Sequence, residues 1–138
     1  MTTHTVVTSF NSGMAFTSDI NGHKVVMDTT AEDGGINSGS SPKRLMLASL
    51  AGCTGMDIVS LLNKMKAEFS HLSIEIIATL TDEHPKTYNK VKIRYSIKMG
   101  EADHPKMEKA VKLSQEKYCG VSAMFRSFAE LTSEIIYI

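Results

Sequence analysis

From Pro42 to about Lys66 the chain carries a segment that constrains everything around it. Its first half, Leu45-Met46-Leu47-Ala48-Ser49-Leu50-Ala51-Gly52-Cys53-Thr54-Gly55-Met56, is apolar on nearly every face. Ser41-Pro42 opens it with a hydroxyl at the N-cap and a proline in the first turn, where no donor is lost. A helix apolar on nearly every face is expected to be buried rather than to lie on the surface, as a long central helix. Gly52 and Gly55 interrupt it at roughly 1 kcal/mol each relative to alanine. Two readings fit that cost: close approach of a backbone or substrate to Cys53, or tight packing of helix on strand.

Around this helix the pattern is one of short strands. His4 to Phe10 is rich in β-branched residues and breaks at Asn11-Ser12-Gly13. Met14 to Ser18 follows, and Asn21-Gly22, a dipeptide favoured in two-residue hairpin turns, leads into Lys24 to Asp28. Thr29 to Ser41 has the composition of a mobile loop, either a functional lid or arm or a plain connector. Leu72 to Leu80 reads as a strand, and Lys90 to Lys98 alternates strictly, as antiparallel strands with one wet face do. Asp103 is the expected N-cap of a helix from Pro105 to Tyr118, with Met107, Ala110, Val111 and Ser114 on one stripe. Val121 to Phe128 reads as a short helical piece and Leu131 to Ile138 as a last strand. The order βββ-α-ββ-α-β, with an antiparallel sheet, defines an α+β fold. At 138 residues, one domain spanning 1–138 is expected.

Composition excludes several functions. Lys+Arg 15 balance Asp+Glu 15, which argues against nucleic acid as a partner. No window was expected to cross a bilayer, and Met1-Thr2-Thr3-His4-Thr5 lacks the basic start of a secretory signal, so a cytoplasmic location and no membrane partner are expected. His4, His23, His71, His84 and His104 are scattered without zinc-ligand spacing, and no nucleotide-binding or nucleophile-elbow motif is present. No cofactor and no metal are expected.

That leaves two cysteines. Cys53 follows Gly52 inside the apolar helix, and Cys119 precedes Gly120-Val121-Ser122, which reads as the first turn of a helix whose free N–H groups favour a thiolate. If the two meet in space, the chemistry is thiol redox. The alternative at each position is an inert cysteine packed as a small apolar residue. Asp57 stands one helical turn beyond Cys53 on the same face, with Lys43, Arg44 or Arg126 as the expected cationic partner, or as half of a structural ion pair.

At Ser40-Ser41-Pro42, Leu47-Ala48-Ser49-Leu50-Ala51-Gly52-Cys53 and Lys117-Tyr118-Cys119-Gly120-Val121-Ser122 the chain resembles the OsmC/Ohr family of osmotically inducible and organic hydroperoxide resistance proteins, and within it the OsmC-like branch. The resemblance implies an intertwined homodimer. It makes Cys53 the peroxidatic thiol, oxidised by an organic hydroperoxide to a sulfenic acid, and Cys119 the resolving thiol. A dithiol, lipoyl-linked in the family, would reduce the resulting disulfide. Active family peroxidases carry a glutamate after the helix-opening proline and an arginine from the N-terminal strands or the following loop. Here Pro42 is followed by Lys43 and Arg44, and no arginine precedes Arg44. Lys43 or Arg44 is then the candidate activating charge and Asp57 the orienting acid. A non-enzymatic protein of this fold, binding a small molecule or sensing redox state, is the alternative function.

Overall fold

The computed structural model describes residues 1–138, which fall into two compact units, Met1–Met46 and Leu47–Ile138. The first unit is a three-stranded antiparallel meander, β1 (Val7–Ser12), β2 (Ala15–Ile20) and β3 (His23–Met27), in that order. Asn21 and Gly22 join β2 to β3 with positive φ at both, 53° and 83°, the conformation that matches the twist of a tight hairpin. The pairing of Ile20 with His23 closes it.

The stretch from Thr29 to Ser41 is not the open loop its composition suggests. The carboxylate of Asp28, buried at 4% exposure, accepts the Thr29 N–H at 2.7 Å, the Ser38 N–H at 3.0 Å, the Ser38 hydroxyl at 2.6 Å and the Ile36 N–H at 3.3 Å. Those bonds, led by the Ser38 hydroxyl, hold the carboxyl down at about 2 against the opposing pull of burial. A 3₁₀ turn at Ala31–Asp33 and a bridge between Met27 and Ser40 complete the segment. Gly35 is required here, because a Cβ would run into the Thr29 carbonyl and the Asp28 carboxylate.

Helix α1 (Pro42–Lys64) leads into the second unit, which adds β4 (Phe69–Leu80), β5 (Tyr88–Met99), α2 (His104–Leu113), a π-helical turn at Ser114–Tyr118, α3 (Gly120–Arg126) and β6 (Glu130–Tyr137). Its sheet runs β4-β5-β6. β4 and β5 are antiparallel, as expected, but β6 lies parallel to β5, so the sheet is mixed rather than antiparallel. The reason is topological: α2, the π turn and α3 lie between β5 and β6 and supply the long crossover that a parallel pair needs. Alternation in β5 puts Val91, Ile93, Tyr95 and Ile97 in the core at 2% exposure or less. Each such side chain contributes roughly 1.5–3 kcal/mol by leaving water. The wet face carries Arg94 between Glu75 and Glu134 at 2.7 and 2.6 Å, an exposed ladder of the kind worth under about 1 kcal/mol per pair.

In the second unit α1 buries a stripe at helical spacing, Leu50, Thr54, Ile58 and Leu62. The expectation of all-round burial fails within one chain: Met56 is 77% exposed and Val59 also faces out. This helix is also long and apolar enough by length and composition to cross a membrane, contrary to the expectation that no segment is, although a core helix passes the same test. Of its two glycines, Gly55 is a packing residue, since a Cβ would meet Ile74 Cδ1 at 3.0 Å, while Gly52 faces open space. Asp103 holds the N-cap position of α2 as expected, but its side chain makes no capping bond. Its carboxylate pairs with Lys106 at 3.0 Å and takes the Glu68 N–H at 3.4 Å, because a 3₁₀ turn at Glu101–Asp103 runs straight into the helix.

Candidate active site: a dithiol over a polar network

Cys53 stands mid-way along α1, half-buried. Cys119 stands between the π turn and α3, buried at 3% exposure. The folded chain brings them together: the Cys53 thiol adjoins the Cys119 thiol and the Val121 N–H, while Cys119 Sγ accepts the Ser122 N–H at 3.3 Å. Both sulfurs therefore sit where the first amides of α3 point, with Cys119 itself as that helix's N-cap. The helical turn expected at Gly120-Val121-Ser122 is present as the start of α3.

The electrostatics run against the resemblance. Burial pushes the Cys53 thiol up. The Cys119 sulfur raises it further, and the negative charge of Asp57 adds to this, while the Val121 N–H pulls the other way. A depressed thiol, as an activated nucleophile requires, is not what a single chain presents. Nor does Asp57 find a cation. It accepts a hydrogen bond from the Ser114 hydroxyl at 2.9 Å, and Arg126 donates instead to Gln115 Oε1 at 3.1 Å. Lys43 and Arg44 occupy the first turn of α1, exposed, with the Arg44 guanidinium donating to Ser41 Oγ at 3.1 Å.

Beneath the sulfurs lies a buried polar cluster absent from the sequence reading. Thr54 Oγ1 bonds Tyr95 OH at 2.6 Å and Ser114 Oγ at 2.8 Å, and all three residues are fully buried. The Gln115 amide donates towards Tyr95 OH at 3.0 Å, Ser122 Oγ at 3.1 Å and Thr54 Oγ1 at 3.3 Å. No buried polar side-chain atom of the chain lacks a partner. The only sequence clue was adjacency: Thr54 follows Cys53, and Gln115 and Ser122 flank Cys119.

With this geometry established, comparison with known proteins assigns the chain to a class. The OsmC-like protein family model matches residues 34–134, and the chain belongs to that family. It is 25% identical over 111 residues to protein YhfA of Escherichia coli K12, covering 80% of each chain. A hypothetical protein from Aquifex aeolicus VF5 shares its fold at a TM-score of 0.80 and 27% identity, over 100% of this chain and 99% of that one. The organic hydroperoxide resistance protein OhrB of Bacillus subtilis shares the fold at a TM-score of 0.64 and 20% identity, over 97% and 98% of the two chains.

Proposed function

We propose that this protein is a thiol-dependent peroxidase that reduces organic hydroperoxides. The supporting observation is the meeting of Cys53 and Cys119 side by side, in a chain whose family includes hydroperoxide resistance proteins. The Cys53 thiolate attacks the terminal peroxide oxygen. The O–O bond breaks, the alkoxide takes a proton and leaves as an alcohol, and Cys53 becomes a sulfenic acid. Cys119 then attacks that sulfur, forming the disulfide and releasing water. A dithiol such as a lipoyl group restores both thiols by exchange. Cys53 is open enough for a substrate to reach, while the more deeply buried Cys119 is protected from direct oxidation. The protein works as a homodimer in a reducing compartment such as the cytoplasm. The solvent-facing apolar side of α1 supports the dimer, and two free thiols suit the compartment.

The elevated Cys53 thiol favours a second reading, a redox sensor oxidised stoichiometrically with little cycling, or a small-molecule-binding protein whose cysteines are packing residues. Turnover separates these readings. An alkyl hydroperoxide supplied with a dithiol should be consumed catalytically, and Cys53→Ser should lower the rate at least a hundredfold. Consumption that survives Cys53→Ser unchanged would dismiss the peroxidase.

A further inference from the structure

Gln115 sits where the elements bearing both cysteines converge. Its amide nitrogen reaches Thr54, the neighbour of Cys53 on α1, Tyr95 on β5, and Ser122 on α3. Its carbonyl oxygen accepts from Arg126 at the end of α3. Gln115 belongs to the π turn that delivers Cys119, while Ser122 and Arg126 lie just beyond it. One side chain thus ties the two ends of the Cys119 segment to each other and to the residue beside Cys53. The turn itself is held at its start by Ser114, bonded to Thr54 and Asp57, and at its end by the Cys119 N–H donating to the Ser114 carbonyl at 2.8 Å. A π turn is a local irregularity that a regular helix would not retain without such support, and these turns gather at functional sites.

From this placement we infer that Gln115 is a positioning residue for the Cys119 thiol, aligning it for attack on the Cys53 sulfur as the group that sulfur carries departs. The inference rests on the thiol-redox reading of the site but not on peroxide as the oxidant. Intramolecular thiol attack depends on the reacting atoms being held close and in line, and a misplacement of about 1 Å costs on the order of a hundredfold in rate. The hydrogen bonds of Gln115 go to Thr54, Tyr95, Ser122 and Arg126 rather than to either sulfur. Gln115 acts through the Ser114–Tyr118 turn and α3.

Dithiobis(nitrobenzoate) reads the alignment without any peroxide. The more exposed Cys53 attacks it in a bimolecular step, forming a mixed disulfide and expelling one nitrothiobenzoate. Cys119 then attacks the Cys53 sulfur, forming the Cys53–Cys119 disulfide and expelling a second. The expected result is two releases from the unaltered protein and one from Cys119→Ser. In Gln115→Met, which keeps the side-chain length and removes its polar atoms, the second release should slow at least tenfold while the first stays within about twofold. Ser122→Ala, a smaller change, should slow the second release in the same sense and serves if Gln115→Met does not fold. A second release at the unaltered rate in folded variants, or equal slowing of both releases, overturns the inference, as does a single release from the unaltered protein. A protein that passes but ignores alkyl hydroperoxide keeps the positioning role and loses the peroxidase reading.

Discussion

Cys53 is the residue on which the chemistry turns, and its surroundings raise its pKa. Burial, the neighbouring sulfur and Asp57 all favour the thiol, and only the Val121 N–H favours the thiolate. Alkylation of Cys53 followed against pH should therefore show a midpoint above the ~8.5 of a free thiol. Asp57→Asn removes one of the opposing charges, so its midpoint should fall towards that value while the Ser114 hydroxyl keeps an acceptor at position 57. An Asp57→Asn midpoint that stays put or rises would mean the Asp57 charge does not reach the sulfur. Sequence placed Asp57 beside Cys53 through helical spacing, but it could not name the partner. A hydroxyl 57 residues away satisfies a carboxylate as well as a nearby cation does, and carries no charge pattern to read.

At the scale of elements, the segment after β3 depends on one carboxylate. Asp28 has its folded-state ionisation held at about 2, below the ~3.9 of an unfolded aspartate. Its contribution is thus complete above the unfolded value and lost as pH falls towards the folded one. Thermal melts of Asp28→Asn should show a midpoint several degrees lower at neutral pH. The difference from the unaltered protein should shrink on acidification from about pH 4 to about pH 2. Equal stability at neutral pH would remove Asp28 from its anchoring role. This anchor was illegible in sequence because most of its partners are backbone N–H groups, which any residue supplies. The hairpin at Asn21-Gly22 was legible for the opposite reason, since few residues accept positive φ at two successive positions. The parallel placement of β6 lay between these cases. Alternation marks a strand and its buried face, yet pairing direction comes from the connection, and the helical crossover ahead of Leu131 was the signal to weigh.

At the scale of the whole molecule, the long apolar segment was read correctly as a helix, but a single chain buries only one stripe of it and leaves Met56 at 77% exposure. Met56, Val59 and Gly52 line a shallow apolar groove of about 640 Å³ with Gly55, Leu72 and Ile74, open on one side. A second copy covering that face would complete the burial the sequence demands. Sedimentation at micromolar concentration should then show a dimer, and Met56→Glu, which puts a charge on the groove, should weaken association at least tenfold. A monomer in both proteins would assign the groove elsewhere. The dithiol was the most legible part of the site because cysteine is scarce here and each sulfur adjoins a glycine. Its scaffold of Thr54, Tyr95, Gln115 and Ser122 was not, since such polar residues are common and only three-dimensional contact sets these apart.

The most direct test is to treat the reduced protein with one equivalent of an alkyl hydroperoxide and map its thiols by mass spectrometry. Convergence of the two sulfurs predicts a Cys53–Cys119 disulfide within a single chain, formed in near-stoichiometric yield with one equivalent of alcohol. Thiols that stay reduced, or a Cys53 that proceeds to sulfinic acid while Cys119 remains free, would contradict it.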